Sequence, residues 1–323
     1  MSRRNAIAIA LMALVFGGCS DDRPAPKPAA SKPARSRPAA TGAATNTRVT
    51  KPKPPTTATA SARRKVFKVE SAKGFIDAVG SDRVIRLAPG RYDLTDLKQR
   101  YHKHVLWQKA YDGWEVVIRN VQNLRIEGAG EDKTHLLTAA QYAYVLGLEN
   151  VAGVELVGLK LGHAPKKGFC EGGVIRVLGS KDVAIRNCVL YGCGREGLTA
   201  EKTERLTVER SAITDCTYGI MTVKGCSRVT FKESAFTDNR EYYGIVISDS
   251  IGVKFRDCRM ERNLVNGLGE TGRALFDVAS STDVEVIGGA IRRNRFVFLA
   301  RPRDAVKFDG VTIADNRPQY SED

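Results

Sequence analysis

Residues 206–239 read LTVERSAITDCTYGIMTVKGCSRVTFKESAFTDN, and one short pattern occurs in them twice. Val208, Ser211 and Cys216 return 23 residues later as Phe231, Ser234 and Asn239. Apolar residues alternate with polar ones before each Ser, as in Leu206-x-Val208 and Val229-x-Phe231, which is the period of a half-buried strand. The frame extends outward on both sides. Val183-x-Ile185 with Cys188 and Cys193 precedes it, and Val253-x-Phe255 with Cys258 and Asn263 follows. Val284-x-Val286 with Gly289 and Asn294 comes next, then Val306-x-Phe308 with Val311 and Asn316. The final column is therefore Cys193, Cys216, Asn239, Asn263, Asn294, Asn316, at intervals of 23, 23, 24, 31 and 22 residues. A second column reads Gly197-Leu198, Gly219-Ile220, Gly244-Ile245, Gly267-Leu268. Weaker copies stand upstream, at Leu124-x-Ile126 and at Val154-x-Leu156 with Gly173-Val174.

A unit of this size holds two or three short strands and no long helix. It cannot bury an apolar face alone, but stacked copies bury a continuous core. Equivalent residues then lie one strand spacing apart, about 4.8 Å. An Asn tolerates the left-handed backbone of a tight turn. Stacked Asn side chains can also bond one another up the column.

The repeat resembles the right-handed parallel β-helix of the pectate-lyase-like superfamily, with its asparagine ladder, over roughly residues 120–320. The expected fold is all-β: one solenoid of 22–24-residue coils with a short N-terminal cap. Phe67–Val69, a helix near Gly74–Val79, Val84–Leu87 and Pro89-Gly90-Arg91-Tyr92 resemble that cap and the first strand. A cap is needed because open strand edges template aggregation. Gly162-His163, Phe169-Cys170-x-Gly172-Gly173-Val174 and Leu190-Tyr191-Gly192-Cys193-Gly194 resemble bacterial surface lipoproteins of uncertain activity. The fold hosts lyases, hydrolases, epimerases and adhesins, so function has to be argued from a site.

The rest of the 323 residues sets the context. Apolar residues make up 42% and charged ones 27%, which excludes a polytopic membrane protein and a wholly disordered chain. The formal charge of +15 divides unevenly: +2 in residues 1–19, +9 in residues 20–65 and +4 in residues 66–323. Arg3 and Arg4, the apolar run Ala6–Phe16 and then Gly17-Gly18-Cys19 describe an export signal, too short to span a bilayer. The cysteine after Phe-Gly-Gly resembles a bacterial lipobox, which implies a signal peptide over residues 1–18 and lipid on Cys19. Ser20 resembles the sorting residue of lipoproteins sent to the outer membrane. Residues 19–63 are rich in Pro, Ala, Lys and Arg and are expected to form a disordered tether, with the β-helix domain occupying residues 64–323. The basic segment lacks aromatic residues, so nucleic acid is not the expected partner.

Chemical motifs are sparse. Asp182, Glu209, Glu233 and Asp257 alternate with Arg186, Arg210, Lys232 and Arg256, as ion-paired residues of a solvated face do. Asp215 and Asp238 sit where other coils carry Gly192, Arg262, Arg293 and Asp315, and read as turn residues. No Cys-x-x-Cys pair is present, no metal site is expected, and no catalytic residue can be assigned; calcium enters only if the protein is a lyase. Aligning Gly173-Val174 with Gly197-Leu198 brings Cys170 towards Cys193, which leaves a disulfide, two buried thiols or a reactive or metal-bound thiol open. Cys188 and Cys258, three coils apart, cannot bridge.

The most suggestive column lies just before the repeated Gly: Glu196, Tyr218, Tyr243, Asn266, with Arg195, Arg240, Glu241 and Tyr242 beside it. Sugar rings can lie on stacked tyrosines, and arginines can fork to the carboxylates of an acidic polymer. The same tyrosines can equally pack over a turn. The long interval inserts Gly269-Glu270-Thr271-Gly272-Arg273 on this side. The expected binding residues are His163, Arg195, Glu196, Tyr218, Arg240, Glu241, Tyr243 and Arg273. The sequence thus points to a lipid-anchored cell-envelope module that binds a polysaccharide or another envelope component. The alternatives are a polysaccharide lyase, hydrolase or epimerase, and a structural or adhesive protein-binding stalk.

Overall fold

The computed structural model describes residues 64–318, except 96, 98, 165–170, 193, 241 and 268–272. The lipidation site Cys19, the tether, Cys170, Cys193, Glu241 and most of the 269–273 insertion lie outside the described residues. Each coil contributes one strand to each of three sheets, of ten, nine and nine strands. The first sheet runs from Lys65–Val69 to Lys307–Asp309, the second from Gly90–Asp93 to Thr312–Ala314, and the third from Val105–Lys109 to Phe298–Arg301. All strand pairs are parallel except Val105–Lys109 with Trp114–Arg119, a hairpin that closes the N-terminal edge of the third sheet.

The period-two alternation fills the interior. Ile185, Val208, Phe231, Phe255, Val286 and Phe308 are opposite one another in successive coils. Phe231 and Phe255 stack at 4.7 Å between centroids, and Phe276 meets Phe255 edge-on at 5.4 Å. Rings in these geometries add about 1 kcal/mol per pair to the burial of their area.

Polar ladders hold the turns. Asn239 and Asn263 each direct both the backbone N–H and Nδ2 to Oδ1 of the next asparagine, at 2.9–3.2 Å. Asn294 does the same to Asn316, with both bonds at 3.0 Å. Cys216 precedes Asn239 in this column, its N–H donating to Asn239 Oδ1. A second ladder runs through Cys188, Ser211 and Ser234, and a third through Cys226, Ser250 and Ser281. Cys188, Cys216, Cys226 and Cys258 are free and buried. Asp215, Asp238, Arg262, Arg293 and Asp315 all have φ between 55° and 61°, so the residues read as turn residues are left-handed turn residues.

Helix Ala72–Ala78 covers the N-terminal end of the core with Phe75, Ile76 and Ala78. Ser71 caps it by accepting from Gly74 N at 3.1 Å. On the outer face of the first sheet, Glu209 pairs with Arg186, Arg210 and Lys232, and Asp182 with Arg205.

Candidate functional site

The third sheet carries the site on its outward face. Leu146, Ile175, Leu198, Met221, Ile245 and Phe276 are opposite one another and point inward. The next residues, Arg176, Thr199 and Thr222, therefore form an outward row one strand spacing apart. This register corrects the glycine column expected from the sequence. Gly197-Leu198 faces Ile220-Met221 and Val174-Ile175, so Gly173 and Gly219 sit one position earlier than Gly197 and Gly244. The turn from the second to the third sheet is equally long in the coils of Gly197 and Gly219, since Tyr191 pairs with Thr214 and Leu198 with Met221, so the glycine itself stands at a different place in the turn, which one-dimensional alignment on glycine cannot reveal. Tyr218 consequently shares its level with Arg195 and Tyr242, while Glu196 falls between Gly173 and Gly219 and in line with Tyr144 and Tyr243.

That shift has a packing cause. A Cβ on Gly219 would lie 2.0 Å from Tyr243 Cε2, and one on Gly173 would lie 2.4 Å from Tyr144 Cε1. Each tyrosine ring lies flat over the glycine of the intervening coil and reaches towards the coil of Glu196. Tyr144 comes from the N-terminal side and Tyr243 from the C-terminal side.

Their hydroxyls meet one buried carboxyl. Glu196 is 3% exposed. Thr222 Oγ1 donates to Glu196 Oε2 at 2.7 Å, and Tyr243 OH donates to the same oxygen at 3.3 Å. Thr199 Oγ1 donates to Oε1, so Tyr144 OH, 2.8 Å from Thr199 Oγ1, donates to that hydroxyl. Arg195 lies beside this group, where its charge acts on both Tyr243 and Glu196. Burial pushes the Glu196 pKa up, against the pull of the Thr199 and Thr222 hydroxyls and the Arg195 charge. Burial also raises the Tyr144 phenol to about 12 and the Tyr243 phenol further, with the Glu196 charge adding to both.

Above this layer lies an open pocket of about 290 Å³, lined by Glu171, Arg195, Tyr218, Tyr242 and Tyr243. Tyr218 and Tyr242 stack with centroids 4.9 Å apart and planes 15° from parallel. Beside it, Arg176 donates to Glu115 at 2.8 Å and to Gln108 at 2.8 Å, its guanidinium 5.5 Å from the Tyr144 ring centroid. Glu115 is also buried, and desolvation raises its pKa despite Arg176.

Of the expected residues, the structure brings together Arg195, Glu196, Tyr218 and Tyr243. Arg240 is exposed at the second-to-third-sheet turn, and Arg273 Nε reaches Gly267 O at 3.5 Å. His163 is buried beneath the turn that leads into Arg195: it is 1% exposed, its ring lies against Gly192 and Gly194, Nε2 bonds Ala143 O at 2.9 Å, and Nδ1 has no partner among the described residues. Burial lowers its pKa. Sequence reasoning missed Glu115, Tyr144, Arg176, Thr199 and Thr222. For Arg176, Thr199 and Thr222 the signal was available as the polar residue following each inward apolar one (Ile175-Arg176, Leu198-Thr199, Met221-Thr222).

The family model described as the right handed beta helix region matches residues 170–318. No curated protein matches the sequence. Similar solved structures include the mannuronan C-5 epimerase A-module of Azotobacter vinelandii, 13% identical, covering 77% of this chain and 75% of that one with a TM-score of 0.43. The alginate lyase of Paenibacillus sp. str. FPU-7 is 12% identical over 76% of this chain and 99% of that one, with a TM-score of 0.38. The polygalacturonase of Erwinia carotovora ssp. carotovora is 10% identical over 79% and 85%, with a TM-score of 0.36. The fold is that of a right-handed parallel β-helix.

Proposed function

We propose that this protein is a cell-envelope module, lipidated on Cys19 and held by its basic tether, that binds an acidic polysaccharide on the outward face of the third sheet. The observation that carries the reading is the parallel Tyr218–Tyr242 pair beside Arg195 at the wall of the pocket. Sugar rings present C–H faces that settle on aromatic faces, and a guanidinium forks to a uronate carboxylate. Tyr243 is fixed as the floor by Glu196, so the platform is ordered before ligand arrives, which lowers the entropic cost of binding.

Binding is favoured over catalysis because the perturbed carboxyl is sealed. Glu196 has three hydroxyl donors and almost no exposure, so it holds the platform and does not meet a substrate. The test is calorimetric titration of the purified protein with acidic and neutral oligosaccharides, with calcium and without, alongside an assay for new reducing ends. Saturable binding of an acidic oligosaccharide that is lost in Tyr218→Ala and Tyr242→Ala supports the reading. Binding unchanged in both variants overturns it, and new reducing ends convert it to a polysaccharide-cleaving enzyme.

A further inference from the structure

The tyrosine pocket continues towards the N-terminal end of the solenoid. Gly172 N donates to Gln141 O at 2.9 Å, and Arg195 N donates to Gly172 O at 2.8 Å. The turns that carry Tyr142, Glu171 and Arg195 are therefore stacked on successive coils, and Glu171 and Arg195 both line the pocket. Thr217 N donates to Gly194 O and Tyr242 N to Tyr218 O, which carries the stack on to the Tyr218–Tyr242 pair. Tyr142 stands at the far end of this row, three coils or about 14 Å from Tyr218.

A second ring stands beside it. Tyr111 lies at the tip of the hairpin of Val105–Lys109 with Trp114–Arg119, its centroid 5.1 Å from that of Tyr142 and the planes 55° apart. The tip is fixed. Ala110 N donates to Gly113 O at 3.0 Å, and the Asp112 carboxylate accepts from Gln141 N at 2.5 Å and from Tyr142 N at 3.1 Å. Despite this anchoring, Tyr111 is 87% exposed and Tyr142 40%. Rings so open bury too little area for folding alone to account for them. A ring pair held in place and left in water is an apolar surface ordered before its ligand arrives, which lowers the cost of binding. Lys109 puts a cation on the same hairpin, its Nζ 5.6 Å from the Trp114 ring centroid.

We propose that Tyr111 and Tyr142 form a second sugar subsite, so that the ligand is an extended acidic polysaccharide chain lying along the solenoid axis across several coils. This rests on the reading of the Tyr218–Tyr242 pocket as a polysaccharide site. A sugar unit in an extended chain advances by about one coil rise, so a chain that joins the two pairs holds about four units. One unit settles on Tyr111 and Tyr142 and another on Tyr218 and Tyr242. Lys109 and Arg195 meet carboxylates at the two ends, and Glu171 between them accepts sugar hydroxyls. Once one pair is engaged, contact with the other is intramolecular, so affinity steps up when the chain is long enough to reach both.

The experiment titrates the purified full-length protein by calorimetry with oligogalacturonates and with oligomannuronates of increasing length. Expected is a gain of about tenfold or more between oligomers too short to reach both pairs and those of about four units and longer. Tyr111→Ala and Tyr142→Ala each remove that gain and leave the affinity of the shorter oligomers within about twofold. Tyr218→Ala weakens every length. Tyr101→Ala removes a ring that is 94% exposed, beyond the other end of strand Val105–Lys109, and leaves every length unchanged. Affinity that does not rise with length, a rise that survives both Tyr111→Ala and Tyr142→Ala, or an equal loss in Tyr101→Ala overturns the second subsite, while the pocket still stands on its short oligomers. No binding of either series at any length overturns the pocket and the subsite together. Thermal unfolding of each variant distinguishes a lost contact from a lost fold.

Discussion

Gly219→Ala is the sharpest test of how the tyrosine platform is held. The added Cβ would stand 2.0 Å from Cε2 and 2.2 Å from Cδ2 of Tyr243. Ordinary carbon contacts lie at about 3.5–4.0 Å, so the ring must withdraw by more than about 1 Å. The Tyr243–Glu196 bond, already 3.3 Å long, does not survive such a movement. Overpacking costs about 1–3 kcal/mol. Removing one of three donors from a buried carboxyl costs about 1–3 kcal/mol more. For a domain of this size the sum lowers the unfolding midpoint by on the order of 10 °C. Because Tyr243 lines the pocket, affinity for the acidic oligosaccharide falls as well. Gly173→Ala supplies the internal control: its Cβ strikes Tyr144 at 2.4 Å, but Tyr144 does not line the pocket. It should cost comparable stability and leave affinity nearly intact. Differential scanning calorimetry and glycan titration of both variants decide the matter. A Gly219→Ala protein with wild-type midpoint and wild-type affinity refutes the idea that glycine at this level exists to admit the ring.

Glu196 gives a pH signature with a definite sign. Its folded pKa is raised, so the stability it contributes is fully present below the ordinary carboxylate pKa and is lost as pH rises through the folded value. The midpoint difference between wild type and Glu196→Gln should therefore shift against the wild type as pH rises above the ordinary carboxylate range, and a difference that is flat with pH removes Glu196 as the cause. Asn263→Ala leaves two Asn239 donors and Phe236 O without partners in a buried turn, at a cost of about 3–6 kcal/mol measurable by denaturant unfolding. Cys188 and Cys258, their thiols pushed by burial to about 12 and about 11, should resist alkylation at neutral pH in the folded protein; peptide mass spectrometry showing rapid labelling of either contradicts their burial.

The fold was legible because a solenoid writes its geometry into a one-dimensional period. The Asn239–Asn316 column and the inward pairs such as Val229-x-Phe231 needed only spacing to be found, and both took the places that spacing implied. The site was only partly legible. Tyr218, Tyr243 and Arg195 were found as candidates, but Tyr218 was put in the column of Glu196 and Tyr243 because glycine was taken as a register mark. Gly173 and Gly219 are glycine for a different reason from Gly197 and Gly244: a ring from another coil occupies the space a side chain would need. Such a constraint joins residues 24 to 29 positions apart and leaves no local pattern. Glu115 was invisible for a related reason. Its pairing with Arg176 crosses 61 residues and two coils, and Glu115 belongs to no repeated column.

The same crowding sets the repeat that a ligand would feel. Coils rise by about 4.8 Å, less than the width of an aromatic ring lying flat, so rings cannot occupy one level in consecutive coils. The level of Glu196 resolves this by alternation: Tyr144, Gly173, Glu196, Gly219, Tyr243, then Ala274 facing Phe298, which is 47% exposed. Large side chains return every second coil, about 9.6 Å apart, and small residues between them receive the rings. One level over, Tyr218 and Tyr242 break the rule by standing on adjacent coils, and they manage it by turning face to face at 4.9 Å. A flat platform at one level and an upright pair at the next enclose the pocket between them.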